Sequence, residues 1–247
     1  MSLELRQVSK TFAHSKKATL KQINLEIRQG EFFCVVGRSG CGKSTLLNLI
    51  AGLELPTGGE ILMNGKKVTG PGADRTVMFQ EHALFPWLNV EENIRFGMEI
   101  TGVPEEERQR RVEKYLEMMR LTAYRTYAIH QLSGGMRQRV ALARAFTMDA
   151  EILLMDEPFS ALDKQTSNRL RKELQEIWMK TKKTIFFITH SVEEAVYLGD
   201  RVAVMSAHDG TIREIIDLPL PRPRQVYEEE FIRYRHRILE EIQEEEE

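Results

Sequence analysis

The stretch GRSGCGKST, Gly37 to Thr45, joins the continuous apolar run EFFCVV to the helical run TLLNLIAG, which stops at Gly52. It fits the phosphate-loop pattern G-x-x-x-x-G-K-[ST] in the setting that gives the pattern meaning, between a buried strand and a helix. Each residue type has a physical reason. Gly37, Gly40 and Gly42 let the backbone wrap closely round phosphates, and successive N–H groups make an anion nest. Lys43 reaches the β- and γ-phosphates, and Ser44 offers a hydroxyl to Mg²⁺, a cation that prefers oxygen ligands. Arg38, Ser39, Cys41 and Thr45 belong to the loop by position, with the Cys41 thiol a small filler and not a nucleophile. These residues predict binding of a nucleoside triphosphate.

Upstream, Ile23, Leu25 and Ile27 alternate with polar residues at the period of a half-buried strand, and Gly30 ends that run. Downstream, EILMNGKKV reads as a hairpin turning at Asn64-Gly65, and RTVMF as another strand. The middle of the chain changes to helix. In VPEEERQRRVEKYLEMMRL, Pro104 opens a helix whose Val112, Tyr115, Leu116 and Met119 form one apolar stripe for packing. Strand and helix then alternate. EILLM is a strand, a helix carries Leu170, Leu174, Ile177 and Trp178 on one face, and TIFFIT is a strand. RVAVMSAHDGTIREIID is a hairpin turning at Asp209-Gly210. LPLPRPR forces an extended segment, and a last amphipathic helix carries Phe231, Tyr234 and Ile238. The pattern predicts an α/β fold with a mostly parallel sheet and a helical subdomain inserted in its middle.

Composition narrows the class. At 247 residues, 42% hydrophobic and 29% charged, the chain fits an ordinary globular protein. No apolar run approaches the roughly 18 residues needed to cross a bilayer, and the N-terminus lacks the apolar core of an export signal. The two cysteines, Cys34 and Cys41, lack zinc-like spacing and suit a reduced compartment. With 35 Lys plus Arg against 37 Asp plus Glu, net charge −2, nothing global favours nucleic acid. The acidic ending EEIQEEEE reads as a solvated, frayed end.

Two further motifs bear on chemistry. In EILLMDEP an apolar strand delivers Asp156 to its tip, where it would hold Mg²⁺, with Glu157 next to it as a general base toward water. Taken alone such a pair is ordinarily a cap or solvated loop; beside a phosphate loop it becomes an active-site pair. LSGGMRQR, Leu132 to Arg139, is a second anion-favouring turn, opening a basic helix with outward N–H groups.

With LSGGMRQR, LLMDEP, SALD and THSVEEA in this order, the chain resembles the ATP-binding-cassette (ABC) ATPases over about residues 3 to 205. The resemblance implies a P-loop NTPase fold with an N-terminal antiparallel β subdomain. It implies one ATPase domain over 1–220, with a helical subdomain about 82–147, and a C-terminal extended segment and helix over 221–247. It assigns Phe12 to adenine stacking, Gln80 to Mg²⁺ and water sensing, and His190 to the γ-phosphate. Ser160, Ala161, Leu162 and Asp163 match the D-loop. The family also implies head-to-tail pairing, so that the signature loop, Ser133, Gly134, Gly135, Met136 and Gln138, meets ATP held by a second cassette.

ATP and Mg²⁺ are then the cofactors, and the partners are a second cassette, membrane permease subunits and, indirectly, a substrate-binding protein. The place of work is peripheral, on the cytoplasmic face of the cell membrane. Phe85, Pro86 and Trp87 are the expected permease-docking cluster, with internal packing at a subdomain hinge as the alternative. LFPWLNVEENIRFG and the ending from Asp217 resemble importer subunits for nitrate, sulfonate, taurine and bicarbonate, although SAHDGTIRE departs from that group's usual Pro-Gly-Arg stretch. An exporter or lipid-transport cassette, and a nonmembrane ABC ATPase of DNA repair or translation, are the competing classes. The latter usually carry a coiled coil, a zinc insertion or two cassettes in one chain.

Overall fold

The computed structural model describes residues 3–13, 17–80, 83–206 and 208–243. Along the chain run β1 (Leu3–Lys10), β2 (Leu20–Ile27), β3 (Phe32–Val36), α1 (Lys43–Ala51), β4 (Gly58–Met63), β5 (Lys66–Lys67) and β6 (Arg75–Met78). Three helices follow: α2 (Val90–Ile100), α3 (Glu105–Met118) and α4 (Gly134–Thr147). The chain then returns through β7 (Ile152–Asp156), α5 (Lys164–Thr181), β8 (Thr184–Ile188), α6 (Val192–Leu198), β9 (Arg201–Met205), β10 (Ile212–Asp217) and α7 (Glu229–Gln243).

Two sheets result. An antiparallel sheet has the order β2-β1-β4-β5, and a larger sheet the order β10-β9-β3-β8-β7-β6. In the larger sheet all neighbours from β9 to β6 are parallel, and β10 pairs antiparallel as an edge. Parallel strands covered on both faces carry continuous apolar runs, and every residue of β3 and β8 is buried. The period of two divides those residues between layers. Phe33 and Val35 face α1 and the antiparallel sheet, whereas Phe32, Cys34 and Val36 face the layer holding α2 to α7. The helix after the phosphate loop is thus packed between two sheets, and the helix that opens at Ser133 lies across the central sheet from it.

Register sets where the strands end. Val35 pairs with Ile188, Ile188 with Asp156, and Met155 with Met78. The segments that follow, beginning at Gly37, Glu157, Thr189 and Phe79, therefore leave the sheet at one level, along one edge.

The elements read from sequence are present, with two omissions. β1 is hard to read because its alternation breaks. Gln7 has φ 51° and the register shifts between Leu5 and Val8, so buried positions fall at 3, 5, 8 and 10. Helix α6 is seven residues, too short to show a periodic stripe. Ala207, inside the β9–β10 hairpin, and the last four residues of the acidic ending lie outside the described residues.

Candidate nucleotide site

The phosphate loop is built on tight packing. Gly42, at φ 104°, precedes α1, and a Cβ there would meet Leu20 Cδ2 at 2.8 Å. A larger residue there would press on the Leu20 side chain and would be strained by the positive φ. Lys43 is buried and its ammonium lies across the loop, donating to the carbonyls of Gly37 at 2.8 Å and Arg38 at 3.0 Å. Arg38, Ser39, Gly40 and Ser44 are exposed on the same rim, Thr45 is half-buried, and Cys41 is buried with its sulfur 3.9 Å from the lysine nitrogen. The charge thus sits at the centre of a ring of backbone groups, which suits a polyphosphate.

Asp156, at the end of β7, lies near enough to the Ser44 hydroxyl to be favoured by it as a carboxylate. Burial raises its carboxyl above the usual range, with the Ser44 hydroxyl and the Lys43 charge opposing and Glu157 adding to the rise. Two hard oxygen donors are thereby brought together from two separate motifs, a set that fits a divalent cation such as Mg²⁺.

Glu157 has φ 45°, a left-handed conformation that costs a non-glycine residue about 1 kcal/mol or more. The turn is over-determined. The Glu157 N–H donates to the Ile188 carbonyl at 2.9 Å, and its own carbonyl accepts from Ser160 N at 3.2 Å and Ser160 Oγ at 2.9 Å. Gln80 Nε2 donates to Ser160 Oγ at 3.2 Å. On the other side His190 Nδ1 lies 3.1 Å from Glu157 Oε2, with the histidine ring 61% exposed. Gln80, Ser160, Glu157 and His190 form one connected row, because the shared strand register delivers them to the same edge. The D-loop continues through Ala161 and Leu162 to Asp163, which caps α5 by accepting from Thr166 N at 2.9 Å. Phe12 is exposed, with the Lys10 ammonium 5.0 Å from its ring centroid.

The second anion turn is a separate structure. Ser133 is exposed and caps α4, its Oγ accepting from Met136 N at 3.3 Å. Gly134 faces Leu162, and Met136 packs against the core. Gln138 departs from expectation. It is 1% exposed and turned inward, donating to the Pro158 carbonyl at 2.5 Å, so it ties the signature helix to the turn that carries Glu157 and does not reach outward. Residue spacing gave warning: Gln138 is one α-helical turn from Leu142, on the packed side of α4.

Beside β6 an apolar groove of about 440 Å³ is lined by Val77, Met78, Phe79, Phe85, Phe96 and Ala141, among others. Phe85 packs on Phe96 with ring centroids 4.3 Å apart, Pro86 is exposed, and Trp87 is 74% exposed at the rim. Buried Asn93 holds this loop, accepting from Phe85 N and donating to the carbonyls of Phe85, Leu88 and Asn89.

The ABC transporter family profile matches residues 20–160. An ABC transporter ATP-binding protein of Methanocaldococcus jannaschii is 50% identical over 97% of this chain and 90% of its own length. The chain belongs to the ABC transporter family. Another family member, a nitrate import ATP-binding protein of Synechocystis, is 46% identical over 90% of this chain and 84% of its own. An aliphatic sulfonates import ATP-binding protein of Bacillus cereus is 40% identical over 98% and 96%. Among solved structures, a dimeric ATP-binding cassette bound to ADP and Pi in a post-hydrolysis state superposes with TM-score 0.74 at 31% identity. That alignment covers 89% of this chain and 100% of the other. The ABC fold accounts for the two-sheet architecture around α1. Among the described residues no helix is long and apolar enough to cross a membrane.

Proposed function

We propose that this cassette is the ATP-hydrolysing subunit of a membrane importer for a small anion or organic solute of the nitrate, sulfonate, taurine or bicarbonate kind. It works as a head-to-tail pair, probed at the membrane's cytoplasmic face by permease subunits that receive solute from a substrate-binding protein. The observation that carries this reading is the separation of two anion turns by the central sheet, with α1 on one face and α4 on the other. Within one chain the Ser133 turn has no phosphate loop before it. A second copy, turned round, supplies one. The relatives named for nitrate and sulfonate import support the transport side of the reading. Because they differ in solute while sharing the cassette, the solute is recognised elsewhere in the assembly.

In the paired state the Lys43 ammonium holds the β- and γ-phosphates, and Ser44 and Asp156, with Gln80 at the rim, hold Mg²⁺. The metal, when bound, neutralises charge on the phosphate oxygens. Glu157 takes a proton from water as its oxygen bonds to the γ-phosphorus. The bond from that phosphorus to the bridging oxygen breaks, leaving ADP and phosphate. His190, held by Glu157, fixes the geometry from the γ-phosphate side, and Ser133 with the N–H groups of Gly134 and Gly135 closes the site in trans. Phe12 receives the adenine, and the groove beside Phe85, Pro86 and Trp87 receives the permease.

Glu157→Gln is the test. It removes the base but keeps shape, so turnover falls about 10²-fold or more while ATP binding persists. A stable ATP-loaded dimer accumulates in gel filtration or light scattering. Undiminished hydrolysis, or a strictly monomeric species at saturating ATP, rejects the reading.

A further inference from the structure

Beyond β10 the segment LPLPRPR, Leu218 to Arg224, is neither helix nor ladder, yet it is not loose: Leu218 and Leu220 are buried, and Leu218 N donates to the Asp200 carbonyl at 2.8 Å. Arg224 is only 3% exposed, and among the described residues no carboxylate pairs with it. Its guanidinium instead donates to three backbone carbonyls, those of Val196, Gly199 (2.5 Å) and Leu218 (3.0 Å). Arg222 donates to the Leu198 carbonyl at 2.6 Å and to Asp200 Oδ1 at 2.8 Å. Gln175 of α5 completes the set. Its Nε2 donates to the Tyr197 carbonyl at 2.7 Å while its Oε1 accepts from Arg224 N at 3.2 Å.

The carbonyls of Val196, Tyr197, Leu198 and Gly199 are the groups left open at the end of α6. Each is taken by a side chain from the C-terminal segment or from α5. Two guanidinium cations at a helix C-terminus are also favoured by its dipole. A helix of seven residues has no stability of its own; its buried face, Val192, Ala195, Val196, Tyr197 and Leu198, sets its plane, and what grips its ends sets its position along that face. The far end is gripped by this clamp, and α7 packs behind it through Phe231 and Ile238. The near end begins at Ser191, whose Oγ caps Glu194 N at 3.3 Å, and Glu194 accepts from Thr189 Oγ1 at 2.6 Å. His190 lies between those two residues, about 10 Å along a rigid rod from the clamp.

We propose that Arg222 and Arg224 are positioning residues for ATP hydrolysis: by fixing the C-terminal end of α6 they hold His190 against Glu157, which makes the C-terminal segment a control element of that histidine. The inference rests on His190 acting at the γ-phosphate. It gives the segment after β10, whose arginines grip the end of α6 far from His190, a hold on turnover but not on nucleotide binding.

The experiment measures steady-state ATPase and separate ATP binding for full-length Arg224→Lys and Arg222→Gln, each alone and combined with His190→Ala. Lysine keeps the charge but not the fork that reaches three carbonyls. Small misplacement of a catalytic group costs up to about 100-fold. The expected result is therefore a kcat about tenfold lower or more, unchanged ATP affinity, and no further loss once His190 is alanine. Unchanged kcat in folded Arg222→Gln overturns the inference, as does an equal fractional loss in the His190→Ala background, which marks general destabilisation. Should Arg224→Lys not fold, Arg222→Gln decides alone. If His190→Ala itself leaves kcat intact, the role of His190 falls and takes the clamp with it, an outcome distinct from a silent clamp variant.

Discussion

Gly135 is the second residue of α4, and a Cβ built on it would stand 2.6 Å from Cγ2 of Thr166. Two effects compete at this residue. Alanine in place of glycine favours a helix by about 0.5–1 kcal/mol. Overpacking against a β-branched neighbour costs about 1–3 kcal/mol, because Thr166 cannot swing its methyl away freely. The second effect wins, so Gly135→Ala lowers the melting temperature, and Thr166→Ser, which deletes that methyl, restores it. A higher melting temperature in the single variant would refute the packing account. The same comparison shows what was legible at this scale. Glycine at 134 and 135 reads from sequence as an anion turn, and the turn is there; that Gly135 also lets α4 lie directly on α5 depends on a residue 31 positions later. Gln138 is the complementary case. A polar residue in a signature reads as outward-facing, but only the packed structure puts Pro158 within its reach.

At the scale of elements, strands and long helices were readable because each has a period, and the unreadable ones lack it for physical reasons already visible in β1 and α6. What no single element reveals is the level at which strands end, and that level joins Gln80, Glu157 and His190 from three strands. The loop between β6 and α2 carries the prediction here. Its inner residue, Phe85, is held by Phe96 and by the Arg144 guanidinium 5.4 Å from its ring, whereas Trp87 projects at the rim. Removing an exposed ring costs the isolated cassette about 0.5 kcal/mol or less. Removing an aromatic anchor from an interface costs about 2 kcal/mol or more. Trp87→Ala is expected to leave soluble ATP hydrolysis and melting temperature unchanged while weakening assembly with the permease, measured by co-purification, some 30-fold by that interface figure. Equal losses of hydrolysis and assembly would place Trp87 in internal packing instead.

For the whole molecule the decisive fact is topological. A chain that packs α1 and α4 on opposite faces of one sheet cannot fold its Ser133 turn over its own phosphate loop without stripping one helix from its core. The sequence displays both turns but not the sheet between them, which is why pairing can be read there only through resemblance. The arrangement has a consequence that a self-contained site does not share. In the proposed head-to-tail pair, each composite site takes its phosphate loop from one subunit and its Ser133 turn from the other. A Lys43→Ala subunit mixed with a Ser133→Arg subunit gathers both defects into one site and leaves the second site intact. A subunit carrying both changes, mixed with an unchanged one, spoils both sites. Retention of radiolabelled ATP after rapid gel filtration, with Glu157→Gln present throughout to stop turnover, separates the cases: the first mixture retains nucleotide and its parent homodimers do not, while heterodimers of the second mixture retain none. If each subunit held ATP entirely by itself, the Ser133→Arg homodimer would retain a full load, and isolated heterodimers of both mixtures would retain one ATP each.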